Sequence, residues 1–127
     1  MIVLDTHAWI WWNAEPGKLS VPARQAIDDA DEVGICPISC WELTMLVSKG
    51  RLKLDRAPLE WAQKALSDDL CKLIPISPAI AVTAGALEGF HGDPADRLIV
   101  ATAIETGASL VTRDRQIRDF GRVDVLW

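Results

Sequence analysis

The sequence predicts an α/β sandwich built on a parallel sheet, and three observations predict it. Short, mainly apolar runs of strand length recur at 2–4 (IVL), 33–36 (VGIC) and 109–111 (SLV), the first wholly apolar, as expected of strands buried on both faces. Helical stretches with recognisable caps separate these runs, so strands and helices alternate. A chain of 127 residues fits one domain, 1–127, and the right-handed crossover rule prunes the layered topologies open to it.

Each element has a local reason. After the run at 2–4, Asp5 or Thr6 can cap a helix through HAWIWWNA that ends before Glu15-Pro16-Gly17. Ser20 caps a second helix from Val21 to Ala30, where Pro22 is tolerated in the first turn. Ser39 starts the helix WELTMLVSK, which Gly50 stops. Pro58 leads into the helical LEWAQKALSDDL, and KLIPI at 72–76 reads as a third strand that Pro75 makes an edge or irregular one. Ser77-Pro78 opens a helix of small residues ending near Gly89. The loop His91-Gly92-Asp93-Pro94 then leads into ADRLIVATAIET, closed by Gly107. A turn or short helix from Thr112 to Gly121 and a last strand at 123–126 (VDVL) follow.

Composition excludes several classes. Half of the residues are apolar and 24% are charged, a balance that can build a core without a metal or disulfide to hold it. No apolar run approaches the ~20 residues of a membrane span, and MIVLDTH reaches Asp5 too early for a secretory leader. Cys36, Cys40 and Cys71 form no CxxC pair and cannot all be bridged, so they read as reduced thiols of a cytoplasmic protein. His7 and His91 lack zinc-ligand spacing. A net charge of −5 disfavours a nonspecific DNA coat or a membrane-surface protein. The basic clusters Lys49–Arg56 and Arg113–Arg122 read as solvated faces, with phosphate contact as the competing reading.

In open parallel α/β folds, ligands bind beyond the carboxyl ends of the strands. Five acids meet that criterion. Asp5 ends the first strand, and Glu42 lies in the first turn after the second. Asp93 and Asp96 open the helix before the strand at 109–111, and Asp114 follows that strand by three residues. Carboxylates gathered there repel one another, and a hard divalent cation such as Mg²⁺ or Mn²⁺ relieves the repulsion. Each acid also has a purely structural reading. Ser39 to Glu42 spells a capping box, Asp93 suits an N-cap before Pro94, and Asp96 suits the dipole at the third helical position. Asp114 can cap its own turn, and Asp5 can simply end a strand. Spacing leaves both readings open.

Four stretches, IVLDTHAWIWW, ISCWELTMLVSKGRL, HGDPADRLIVATA and SLVTRDRQI, follow one another along the chain. Through them the chain resembles the PIN-domain ribonucleases, most closely the VapC-like toxins of bacterial toxin–antitoxin pairs; the DPADRLIVATA segment is the most specific. The resemblance implies a PIN-like three-layer α/β/α sandwich around a five-stranded parallel sheet. It implies an endoribonuclease dependent on Mg²⁺, with Mn²⁺ as substitute, that leaves a 5′-phosphate and a 3′-hydroxyl. Asp5, Glu42, Asp96 and Asp114 match the family's catalytic acids, with Asp5, Asp96 and Asp114 on the metal. Asp93 and Thr112 fall at supporting positions, and Thr6, Ser39 and Arg97 are further supporting or substrate-contacting candidates. An RNA substrate, a cognate antitoxin and a homodimer are also implied, with no membrane role.

Other residues need separate readings. His7, one turn into a helix beside Trp11, reads as a packed structural group, and His91 as a loop cap or substrate contact. Arg97 adjoins Asp96 and reads as its ion-pair partner, or as a phosphate contact. Trp9, Trp11 and Trp12 cannot all face one core, because successive helical residues point in different directions. At least one is expected at the surface as an antitoxin contact, with base stacking as the rival. Cys36, Cys40, Trp41 and Met45 read as core or dimer-interface residues. Two other functions compete: a PIN-like nuclease of RNA processing without a toxin role, and a receiver-type phosphoacceptor module. A receiver needs an acid pair, an aspartate and a lysine where this chain has Asp5-Thr6, Ser77 and Trp127, which disfavours it.

Overall fold

The computed structural model describes residues 1–90 and 92–127; the readings made for His91 lie outside the described residues. Strands β1 (Ile2–Leu4), β2 (Val33–Ile35), β3 (Cys71–Leu73), β4 (Ser109–Val111) and β5 (Val125–Leu126) form one parallel sheet, ordered β3-β2-β1-β4-β5. The chain fills one side of β1 first and then returns to fill the other. The carboxyl ends of β1 and β4 therefore flank the switch point, where loops diverge and leave a crevice.

Among the described residues seven α-helices connect the strands: α1 (Thr6–Ala14), α2 (Val21–Asp28), α3 (Ile38–Ser48), α4 (Pro58–Ala65), α5 (Pro78–Gly85), α6 (Pro94–Thr106) and α7 (Arg115–Phe120). The strands alternate between two cores, which makes the three layers. Leu4, Ile35 and Val111 pack with Trp9, Leu43 and Trp61 of α1, α3 and α4. Val3 and Leu110 face the other way, onto Ile99, Val100 and Ile117 of α6 and α7. Burying a side chain of this size contributes about 1.5–3 kcal/mol, so this alternation fixes which face each strand presents. Gly34 marks the closest approach: a Cβ there would stand 2.4 Å from Cδ1 of Ile74. No described helix is long and apolar enough to cross a membrane.

The structure corrects several local expectations. Asp5, not Thr6, caps α1, and α2 stops at Asp28. Helix α3 begins at Ile38 with no side-chain cap, so Ser39 and Glu42 form no capping box. β3 ends before Pro75 and lies at the sheet edge, where that proline allows it. Cys36 is buried in the core, Cys40 and Met45 are half-buried, and Trp41 is 54% exposed and so not a core residue. Trp9 is fully buried edge-on against Trp61, with ring centroids 5.2 Å apart, which removes it from the surface candidates.

Candidate active site

The crevice is built from helix starts. Asp5 follows β1 and caps α1, its Oδ1 accepting the Ala8 N–H at 2.8 Å. Its Oδ2 accepts the hydroxyl of Thr112, a buried residue just beyond β4. The Thr112 hydroxyl oxygen also accepts the Asp114 N–H at 3.0 Å, so one hydroxyl fixes two acids. Asp114 caps α7 through Gln116, and Asp93 caps α6 through the Asp96 N–H, both at 2.8 Å. Glu42 reaches in from α3, and its Oε1 accepts the hydroxyl of buried Thr6; Ser39 shares that hydroxyl at 2.9 Å. The capping and site readings hold together. N-capping aims Asp5, Asp93 and Asp114 at helix N-termini, whose dipoles favour negative charge.

All five acids line one cleft of about 520 Å³, with Thr6, His7, Trp11 and Arg113. Their charges are felt mutually. Asp96 is pushed up to about 7, first by burial and then by Asp93, Glu42, Asp114 and Asp5. Burial also raises Asp5, against the hydrogen bonds from Thr112 and Ala8, and raises Glu42, against the bond from Thr6. Among the described residues no donor reaches the Asp96 carboxylate, and no three of these side chains form a group that could hold an ion as they lie. The donor chemistry nevertheless fits a hard divalent cation. Every side-chain oxygen of the lining is carboxylate or hydroxyl, and the repulsion that lifts Asp96 is what such a charge offsets.

The cleft's rim holds residues whose placement the sequence reading missed. His7 is exposed, not packed inside, with its ring 5.5 Å from Trp11. Trp11 is half-buried, 5.9 Å from Trp127, and the Arg113 guanidinium lies over it at 5.8 Å. An exposed cation–π contact of this kind contributes about 0.5–1 kcal/mol. The available signal was the position of Arg113 between Thr112 and Asp114. Trp12 is half-buried against the α1 core. Arg97 does not pair with Asp96: it donates to the carbonyls of Ala84, Gly85, Leu87 and Phe90, tying α6 to the end of α5. Those four bonds leave it a structural clamp.

Comparisons with known proteins agree with this fold. The sequence model of the PIN domain matches residues 2–124. Ribonuclease VapC22 of Mycobacterium tuberculosis is 48% identical over 118 residues, 92% of this chain and 89% of that protein. In fold, the chain is similar to the crystal structure of VapBC2 from Rickettsia felis bound to a DNA fragment from their promoter. The TM-score is 0.70 at 20% identity, over 98% of this chain and 97% of that one. A toxin–antitoxin complex from Klebsiella pneumoniae gives 0.67 at 22% identity, over 97% and 95% of the two chains. Sequence and fold agree across nearly the whole chain, which belongs to the PIN-domain family, among its VapC-like members.

Proposed function

We propose that this chain, acting as one nuclease unit in the cytoplasm, is a metal-dependent endoribonuclease and the toxin of a toxin–antitoxin pair. The observation that carries the reading is the convergence of five carboxylates in the crevice between β1 and β4. It occurs in a PIN-domain chain 48% identical to a protein named as a ribonuclease. Asp5, Asp96 and Asp114 would hold Mg²⁺, or Mn²⁺ in its place. When bound, the ion supplies charge neutralisation at the phosphodiester and a lowered pKa for water. Thr112 holds Asp5 and the start of the Asp114 turn in place, and Thr6 and Ser39 hold Glu42. The Oε1 of Glu42 is engaged by Thr6, which leaves Oε2 to orient the attacking water or take its proton. Attack of water on phosphorus, with the 3′-oxygen leaving, gives a 5′-phosphate and a 3′-hydroxyl.

The solved complexes similar to this chain support an antitoxin partner. Half-buried Trp12 on α1 is the aromatic contact assigned to it, since Trp9 lies in the core and Trp11 lines the acidic cleft. For the homodimer, the face assigned is the apolar surface cleft on Ile38, Trp41, Ile76 and Pro94. Purified chain is expected to cut RNA with Mg²⁺ or Mn²⁺, to stop in EDTA, and to leave 5′-phosphate ends detectable by sequencing. Full cleavage in EDTA would sink the reading.

A further inference from the structure

Arg113 has no part in that mechanism, yet its placement is closely controlled. Thr112, on one side, is buried and bonded to Asp5; Asp114, on the other, caps α7 and bonds back to Thr112. The backbone is therefore pinned on both sides of Arg113, while its side chain is exposed at the edge of the acidic cleft. Five carboxylates share that cleft, but among the described residues Arg113 forms an ion pair with none of them. Its guanidinium lies over the Trp11 ring at 5.8 Å instead, and that ring is flanked by His7 and Trp127.

Other arginines show the contrast. Arg97 has committed its donors to four carbonyls, and Arg56 is paired with Asp55. Arg113 donates no hydrogen bond among the described residues, so its planar fork of N–H groups is uncommitted but aimed. A polyanion entering a cleft of five carboxylates is repelled unless cations receive it.

We propose that Arg113, presented on the Trp11 ring, binds a backbone phosphate of the RNA strand adjacent to the phosphodiester being cut. Trp11 is then a positioning residue, which keeps the guanidinium off the carboxylates and at the cleft's mouth. The inference rests on the endoribonuclease reading and extends it to how the substrate strand is seated.

The test uses a short labelled single-stranded RNA, with binding read by anisotropy in EDTA over a salt series. Turnover with Mg²⁺ or Mn²⁺ is read over the same salt series. Arg113→Ala is expected to weaken binding about tenfold and to lower the salt slope by about 0.7, the loss of one phosphate contact on a single strand. It is expected to raise KM by a larger factor than it lowers kcat. Arg113→Lys should restore the salt slope without the full affinity, because a point charge replaces the fork. Trp11→Leu, checked by a thermal melt, should raise KM while keeping the slope. If wild type cleaves RNA but is too weak to bind it in EDTA, the salt dependence of kcat/KM decides. Wild-type affinity, slope and KM in Arg113→Ala overturn the inference, and mean that the pair faces a protein or only packs. A wild-type chain that neither binds nor cuts RNA overturns the endoribonuclease reading itself.

Discussion

Two clefts of similar size treat their carboxylates in opposite ways. One, of about 480 Å³, is lined by residues that include Asp55, Arg56, Lys64 and Asp68, so both charge signs meet there. Asp55 is held below its usual range, first by the hydrogen bond from Arg56 and also by that residue's charge. The other, of about 520 Å³, gathers five acids, and Asp96 within it is pushed up to about 7. In the first cleft Asp55 is paired with Arg56 at the solvent surface, the ordinary condition of an exposed carboxylate. In the second, like charges are part-buried against one another, and the metal-free folded chain carries that repulsion wherever Asp96 is ionised. A fold under no functional demand has no reason to keep such a cluster, so the contrast locates the site more firmly than the size of either cavity.

The sharpest way to break the contrast is by activity. Asp5→Asn and Asp96→Asn are expected to lower metal-dependent RNA cleavage at least about 100-fold, above the loss typical of a supporting partner. Thr112→Val, which removes the hydroxyl bonded to Asp5, should lose about 10–100-fold. Asp55→Asn, in the other cleft, should cleave within a factor of about two of wild type, since it touches none of the five acids. Equal losses in the two clefts would erase the distinction.

Stability against pH comes next. The folded chain raises Asp96 from 3.8 to about 7, so between those values it binds more protons than the unfolded chain. Metal-free stability should therefore fall as pH rises through that window and level off above it. Asp96→Asn should flatten the fall and, at pH 8, gain about 2 kcal/mol. That is half the fully buried limit, because the carboxyl keeps solvent contact. Mg²⁺ should stabilise wild type by about 2.7 kcal/mol at a hundred times its Kd, and the variant by much less. Thermal melts with and without Mg²⁺ check both. An Asp96→Asn chain that is less stable without metal, yet gains the wild-type increment from Mg²⁺, would return Asp96 to a helix-dipole role.

Smaller effects sharpen the comparison further. Asp93→Asn should change chemical-denaturation stability by no more than a few tenths of a kcal/mol, since asparagine caps as well as aspartate, whereas Asp93→Ala should lose about 1 kcal/mol. Asp55→Asn should leave the melting temperature unmoved, because its carboxylate and the paired Arg56 are solvated.

Local chemistry made most of this legible in the sequence. The mainly apolar runs of β1, β2 and β4 became strands because strands buried on both faces need nothing else. Asp93-Pro94 followed by Asp96 reads as a helix start, and the structure builds that cap. The misses are of two kinds. Thr6, Ser39 and Glu42 form a network across 33 and 36 positions of sequence, and the spacing from Ser39 to Glu42 imitates a capping box that the earlier start of α3 prevents. No local rule shows such a partner. The expected pairing of Asp96 with Arg97 was avoidable, since neighbours in a helix do not face each other. The same geometry sends Trp9 inward and leaves Trp11 at the rim, but only the packed structure shows which of the two is which.

The bond between Thr112 and Asp5 joins positions 107 residues apart, and the ladder from β1 to β4 runs beside it. Contacts this distant form only after the intervening loop has closed, which slows their formation. During synthesis Asp5 and Glu42 leave the ribosome long before Thr112 and Asp114 do. The growing chain thus carries isolated carboxylates, each ordinary and solvated, until the segment beyond β4 has emerged and docked against β1. Only the finished sheet brings the repelling charges together, so the cleft does not exist on a nascent chain.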